Sequence, residues 1–392
     1  MPIQSGYPSA QKEAAKEQQR PLYGKKVLLG VAAGDAVLSR MAALFLKEQG
    51  AKVSLIHLKL GPLAQYLRYG KNAPDLDENL LRAWSKDQGM DLDIVDLSEE
   101  SDAFCQGWIR LQMSQAWMPD IRSNFEGRFL MAQLYHYAKE AKAELSTGHR
   151  ARVVHEANGT LRILKSTDES IDQSALLGFT KSIITQKLHL PVGYIKADEA
   201  RKLTSSYKLS EKVDRLFEDR NIAREFEEFE KFVSLQSLPR VRSKGYVISA
   251  KKVILGDHAG LASAAVGEKR HFEELKETPT RTVLGHDIMK NWVIVGTEDQ
   301  LDRTVILSSP VNWLFQRPDL TRSQERLNLN LSTEPDEFFD VTVELVLGSG
   351  LRITRAEGQK KSKPFRPRLG STFTLYRGTL CLGSARVVET FV

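Results

Sequence analysis

The sequence predicts an α/β fold with a Rossmann-like parallel sheet, followed by a small central strand-rich unit and a C-terminal β-barrel. Three observations predict it. Residues 26–33 and 52–58 are near-continuous apolar runs of strand length, joined through residues 39–49, where Met41, Ala42, Leu44, Phe45 and Leu46 fall at helical spacing and Gly50 stands where a helix stops. Such a unit is a right-handed crossover between buried parallel strands. Residues 245–267 form a compact strand-rich piece with turns at Gly256 and Gly260. From about residue 291 onward the pattern is strands only, ending in a hairpin over 372–388 around Arg377 and Gly378, as in a barrel.

The remaining elements follow in order. Residues 1–20 are polar, rich in Gln, Lys, Glu and Ala, and read as a flexible tail. Residues 92–97 supply a third strand. Residues 102–143 predict two helices broken at Met118-Pro119-Asp120, because proline disfavours helix in the residue before it. A short fourth strand follows at 144–147. The alternating runs 152–156 and 160–165, joined around Asn158-Gly159, form a hairpin expected to add an antiparallel edge to the parallel sheet. Residues 172–189 and 197–203 are expected to be helical, and 209–232 to form a long charged helix leading out of the first domain. The expected division is a tail at 1–20, an α/β domain at 21–205, a helical linker with a small central domain at 206–278, and a barrel domain at 279–392.

Composition narrows the function classes. A chain of 392 residues exceeds the size at which a single core stops growing, about 250–300 residues, so several domains are expected. Apolar residues at 41% and charged residues at 27% exclude disordered and fibrous classes. No apolar stretch approaches the ~20 residues of a membrane span, and the first residues lack the apolar core of a secretory signal. A cytoplasmic address is the expectation. The two cysteines, Cys105 and Cys381, exclude a disulfide framework and a four-cysteine zinc site, and no metal is expected. A net charge of +6 suits an acidic partner such as RNA and equally a merely soluble basic protein.

Ligands of open α/β sheets sit beyond the carboxyl ends of the strands, which directs attention to the turn at 32–39. Gly34, Ser39 and a helix N-terminus suit an anion there, with Arg40 adding charge; Asp35 opposes one. The competing reading is an ordinary helix start capped by Asp35.

Further phrases extend this turn into a recognisable order: residues 31–50; Pro119-Asp120-Ile121 with Asn124; Ser146-Thr147-Gly148-His149; Asp172-Gln173-Ser174; Leu190-Pro191-Val192-Gly193; residues 256–261; and Leu380-Cys381-Leu382-Gly383. In that order the chain resembles the tRNA-specific 2-thiouridylase family, of the PP-loop ATP pyrophosphatase type, over nearly all of residues 25–392. The resemblance implies ATP-dependent adenylation of a wobble uridine and replacement of its oxygen by sulfur carried as a cysteine persulfide. It also implies that Pro119, Asp120, His149, Asp172 and Gln173 contact RNA, and that Gly34, Asp35, Ala36, Leu38, Ser39 and Gly148 descend from the nucleotide loop.

The departures from that pattern concern the chemistry. Where the family has Ser-Gly-Gly-Val-Asp-Ser, this chain has Gly34-Asp35-Ala36-Val37-Leu38-Ser39, which loses a glycine and the motif carboxylate. The nucleophilic cysteine aligns with Ser123, and a serine hydroxyl cannot hold a persulfide. The partner cysteine belongs within 204–211, where there is none. Cys105, beside Phe104 and Trp108, reads as a small buried hydrophobe, and Cys381 as structural. Asp172 also reads as a helix cap, with Ile171 replacing the family's lysine, and His258 as a turn residue. Lys360, Lys361, Lys363, Arg366 and Arg368 form the densest basic run, either a phosphate-contacting segment or a solvated loop. The expectation is a catalytically degenerate homologue that binds tRNA or other RNA without thiolation and needs no cofactor, with ATP and magnesium only if the altered loop binds them. The alternatives are an active ATP-dependent sulfurtransferase, and a protein-interaction module engaging another protein or a second copy of the chain.

Overall fold

The computed structural model describes residues 22–32, 36–69, 77–115, 117, 120–156, 160–206, 243–261, 264, 266–270, 281–315, 326–346, 350–356 and 364–391. The long charged helix expected at 209–232 and the turn residues Asn158 and Gly159 lie outside them.

The first unit is a doubly wound sheet. Strands β1 (Lys26–Val31), β2 (Lys52–Leu60), β3 (Leu92–Leu97), β4 (Glu144–Thr147) and β7 (Leu188–His189) run parallel in the order β3-β2-β1-β4-β7. Alternation along β1 divides the core: Val27, Leu29 and Val31 pack on one face with Val37, Leu38, Met41 and Phe45, whereas Leu28 packs on the other with Ile109, Phe125 and Leu134. The first face is covered by α1 (Ala36–Glu48). On the second lie α2 (Pro62–Tyr69) and α4 (Ser98–Ser114), which precede and follow α3 (Glu78–Asp87) in the chain. From Arg122 onward come α5 (Arg122–Asn124), a π-helical stretch Phe125–Leu130, and α6 (Met131–Glu140).

Two expectations fail in this unit. The hairpin β5 (Ala151–His155) and β6 (Leu161–Lys165) does not extend the parallel sheet; β6 pairs with a barrel strand, Leu380 opposite Leu164. The free edge of β4 is instead taken by β7, with Leu145 opposite Leu188. That edge strand was hidden because residues 172–189, expected to be helical, hold short turns at Ser174–Leu177, α7 (Ser182–Thr185) and the two-residue β7. A two-residue strand carries too little alternation to be seen. Helix α8 (Ala197–Ser206) closes the unit.

The central unit is a sheet of β8 (Gly245–Ser249), β9 (Ile254–His258), β10 (Lys269–Arg270), β11 (Arg281–Asp287) and β12 (Trp292–Gly296) in the order β10-β11-β12-β8-β9. Strand pairing thus keeps β11 and β12 with this unit, where the expected division at 279 assigns them to the barrel. The barrel consists of β13 (Val305–Ser308), β15 (Arg326–Leu331), β16 (Glu334–Leu345), β17 (Leu351–Arg355), β18 (Thr372–Arg377) and β19 (Leu380–Phe391), with β14 (Asn312–Trp313) pairing on β19. Six antiparallel strands in the order β13-β17-β16-β15-β18-β19 close where β13 meets β19. Phe339, Phe365, Phe373 and Leu375 fill its interior. No described helix is long and apolar enough to cross a membrane.

Candidate functional site

The strand order reverses between β1 and β4: β2 and β3 build to one side of β1, and β4 to the other. A crevice opens at the carboxyl ends at such a reversal. Here it is a pocket of about 200 Å³ lined by Val31 and Ala32 after β1, His57 to Leu60 of β2, and Thr147, Gly148 and His149 after β4. Gln65, Arg68 and Tyr69 of α2, with Glu78, form its outer wall.

At the pocket, the Ser39 hydroxyl at the start of α1 accepts the Ala32 N–H at 3.3 Å. Gly148 lies against it so closely that an added Cβ would stand 3.1 Å from both the Ser39 nitrogen and its Oγ. The absence of a side chain at 148 therefore sets how near the β4 end and the α1 start approach each other. Of the loop remnant, Gly34 and Asp35 and the side chain of Ala36 lie outside the described residues. Leu38 is 2% exposed within the apolar cluster under α1, and Arg40 lies with its guanidinium 5.8 Å from the Trp84 ring centre. Neither lines the pocket, so neither plugs it.

A buried charge network backs the pocket. Arg68 donates through the Nε–Nη2 edge of its guanidinium to both carboxylate oxygens of Glu126 in the π-helical stretch, the Nη2–Oε2 distance being 3.1 Å. The Nε2 atom of His149 lies 3.6 Å from the same carboxylate, and its Nδ1 is hydrogen-bonded to the Thr147 hydroxyl at 2.8 Å. Burial pushes the Glu126 carboxyl up, but the Arg68 charge and the His149 contact outweigh it and hold it down at about 2. His57, also buried, donates from Nδ1 to the Val31 carbonyl at 2.9 Å, which leaves Nε2 as the acceptor. Burial lowers its basicity, keeping the ring neutral. His57, Arg68 and Glu126 escaped sequence reasoning. The signal for His57 was a lone polar ring inside an apolar strand; Arg68 and Glu126 stand 58 positions apart and carried none.

Ser123, the residue expected at the nucleophile position, is 8% exposed at the start of the helix run. Among the described residues no histidine or carboxylate is hydrogen-bonded to its hydroxyl. Both thiols are buried: Cys105 is pushed up to about 12 by burial and the Asp102 charge, and burial raises Cys381 further, where Sγ faces the Ser174 carbonyl at 3.8 Å. Neither supplies a thiolate near neutral pH.

The remaining candidates scatter. Pro119, Lys360, Lys361 and Lys363 lie outside the described residues. Asp120 points into the barrel, its Oδ2 accepting the Thr372 N–H at 2.7 Å, the Thr372 hydroxyl at 2.6 Å and the Ser332 hydroxyl. Asp172 accepts from the Ser166 N–H at 2.7 Å and the Ser174 hydroxyl at 2.7 Å, and Gln173 accepts the Arg150 N–H at 3.1 Å. Their polar atoms are thus engaged inside the protein. Arg366 pairs with Glu298, while Arg368 packs over Gly267. Of the described members of the expected set, only Ser39, Gly148 and His149 share the pocket. His258 bonds within its own turn to the Gly260 N–H at 3.0 Å, and no described group of histidine, cysteine and carboxylate side chains is arranged to hold a metal.

Comparison with known proteins agrees with this architecture. Residues 25–218 match the tRNA methyl transferase HUP domain. The tRNA-specific 2-thiouridylase MnmA of Alkaliphilus oremlandii is 26% identical over 379 residues, covering 92% of this chain and 96% of that protein. Its namesake from Acidithiobacillus ferrooxidans is 27% identical over 297 residues, covering 74% and 80%. The match to the Orientia tsutsugamushi protein of the same name, at 28% identity over 216 residues, spans 54% of this chain and 56% of that relative. The matched segments run from the doubly wound sheet into the closed barrel, so the likeness to tRNA-specific 2-thiouridylases extends over most of the chain.

Proposed function

We propose that this chain is a tRNA-binding member of the tRNA-specific 2-thiouridylase family that does not carry sulfur. One observation carries the reading. The nucleophile position holds a buried serine, and both cysteines of the sequence are buried with their thiols held protonated. Sulfur carriage as a persulfide requires an accessible thiolate that can attack a donor and then release the outer sulfur. RNA binding is supported by the tRNA-specific relatives and by the net charge of +6.

The test has two arms. Purified protein is mixed with unmodified tRNA, ATP, magnesium and a persulfide donor, and the tRNA nucleosides are resolved by mass spectrometry; 2-thiouridine is expected at the level of the protein-free control. Filter binding of the same tRNA is expected to show affinity that falls steeply with salt. Thiolation above the control defeats the proposal, and salt-independent binding removes its RNA half.

A second reading is favoured by the open pocket: an enzyme that still activates a substrate with ATP. Ser39, Gly148, His149 and neutral His57 are the residues that would receive a nucleotide there, and their polar and apolar mix fits one. ATP would supply an activated phosphoryl or adenylyl group; the protein's part is to orient it and exclude water. Calorimetric titration with and without magnesium separates the two readings: heat with a thermal shift favours the enzyme, and silence the binding protein.

A further inference from the structure

Apart from the pocket, the seam between the α/β unit and the barrel holds a group of cations that the fold does not neutralise. Arg386 of β19 lies between two indoles, its guanidinium carbon 5.5 Å from the Trp108 ring centre and 5.2 Å from that of Trp117. Its Nε and Nη1 atoms are shielded from water and have no hydrogen-bond acceptor. Arg128 stands nearby on the π-helical stretch, over the Phe179 ring at 4.8 Å and donating from Nε to Asn124 Oδ1 at 3.1 Å. Burial and the Arg386 charge both lower its basicity, so the two cations feel one another. Among the described residues neither forms an ion pair.

This arrangement is costly without an anion. Shielded N–H donors lacking an acceptor lose their hydration, and like charges drawn together add repulsion. The two indoles return part of that cost through their ring faces and hold the guanidinium plane in place. The group also adjoins the nucleophile position: Asn124, which holds Arg128, follows Ser123 and donates to the Asp120 carbonyl at 3.3 Å, and Trp108 donates to the same carbonyl at 3.2 Å. A planar fork with fixed orientation, a second cation and flanking aromatic rings match the phosphodiester and base faces of a single RNA strand.

We propose that Arg128 and Arg386, set by Trp108 and Trp117, clamp a backbone phosphate of the bound RNA beside Ser123. The assignment rests on the tRNA-binding reading above and specifies where the strand is held. The test measures binding of fluorescently labelled tRNA across a salt series for the full chain and for Arg386→Gln, Arg128→Gln and the exposed barrel variant Arg352→Gln. Either clamp variant is expected to lose about tenfold in affinity and to flatten the log–log salt slope by about one, with a melting temperature no lower than that of the wild type, while Arg352→Gln stays as wild type. If the wild type binds tRNA and both clamp variants retain its affinity and slope, the clamp is wrong and the binding reading stands. If the wild type itself binds no tRNA, both fall. A third arm adds millimolar inorganic phosphate: stabilisation of the wild type but not of Arg386→Gln, with tRNA affinity equal in the two, reassigns the group to a free anion and overturns the RNA proposal.

Discussion

Glu126 shows how one residue sets the electrostatics of the pocket wall. Its carboxylate is shielded by the protein yet stays ionised, because the Arg68 charge and the His149 contact outweigh the loss of hydration. Its folded-state pKa of about 2 lies below the ordinary 4.5, so its contribution to stability is fully present above about pH 4.5 and is lost as pH falls toward 2. Replacing the carboxylate in Glu126→Gln leaves the Arg68 cation without its counter-charge, and a cost of about 3–5 kcal/mol in urea unfolding is expected, with the low-pH loss of stability flattened in the same variant. The thiols give a second prediction. Cys105 and Cys381, buried and protonated, are expected to resist iodoacetamide at pH 8 in the native protein and both to react in guanidinium; native labelling at either would undo the argument against sulfur carriage. Cys105 was legible as a buried hydrophobe from Phe104 and Trp108 around it, because composition on one helix face reports burial. The Arg68–Glu126 pair was not, since nothing local ties a residue of α2 to one 58 positions later.

Between elements, close approach controls the pocket. The β4 end and the α1 start meet over Gly148, and the π-helical stretch meets the loop before α7 over Gly127, where an added Cβ would come within 2.9 Å of the Phe179 backbone. The two sites differ in what must yield. At Gly148 the obstacle is Ser39 at 3.1 Å, which needs to retreat by only a few tenths of an ångström. Gly148→Ala is therefore expected to fold with little loss of stability and to spread the pocket floor, weakening whatever ligand heat the wild type shows in calorimetry. At Gly127 the obstacle is main chain. Gly127→Ala is expected to lower stability by about 1–3 kcal/mol, read as an earlier denaturant midpoint. The wide helical turn there is invisible in a pattern that predicts ordinary helices over 102–143: apolar spacing marks a helix but not one extra residue in a turn. The strands β1 and β2 were legible because their central residues are buried on both faces and read as an apolar run, whereas β7, two residues long, was not.

At the scale of the molecule, the α/β unit and the barrel are joined by more than a linker. Strand β6 pairs with β19 at Leu164 and Leu380, the Ser174 and Tyr376 hydroxyls are hydrogen-bonded at 3.0 Å, and Asn312 donates to the Gly178 carbonyl at 3.0 Å. The sequence order of the two units was readable, but their union was not, because such contacts link residues more than a hundred positions apart. Asp120 is the most exacting of these links. One carboxylate oxygen receives the Thr372 N–H and two hydroxyls from neighbouring barrel segments, so Asp120 is pinned to the barrel through its side chain while Trp108 and Asn124 of its own unit hold its carbonyl. Charge-assisted bonds of this kind exceed neutral ones, and truncation leaves the Thr372 N–H partnerless. Asp120→Ala is thus expected to cost about 2–3 kcal/mol and to uncouple the units. Scanning calorimetry should show one transition for the wild type and two for the variant. The clamp gives this link a functional consequence: Arg386 faces Thr372 across β18 and β19, and Trp108 is held by the Asp120 carbonyl, so loosening the seam displaces both. Asp120→Ala should therefore weaken tRNA binding at temperatures below its first transition, and a variant that melts early yet binds tRNA like the wild type would show that the seam does not position the clamp.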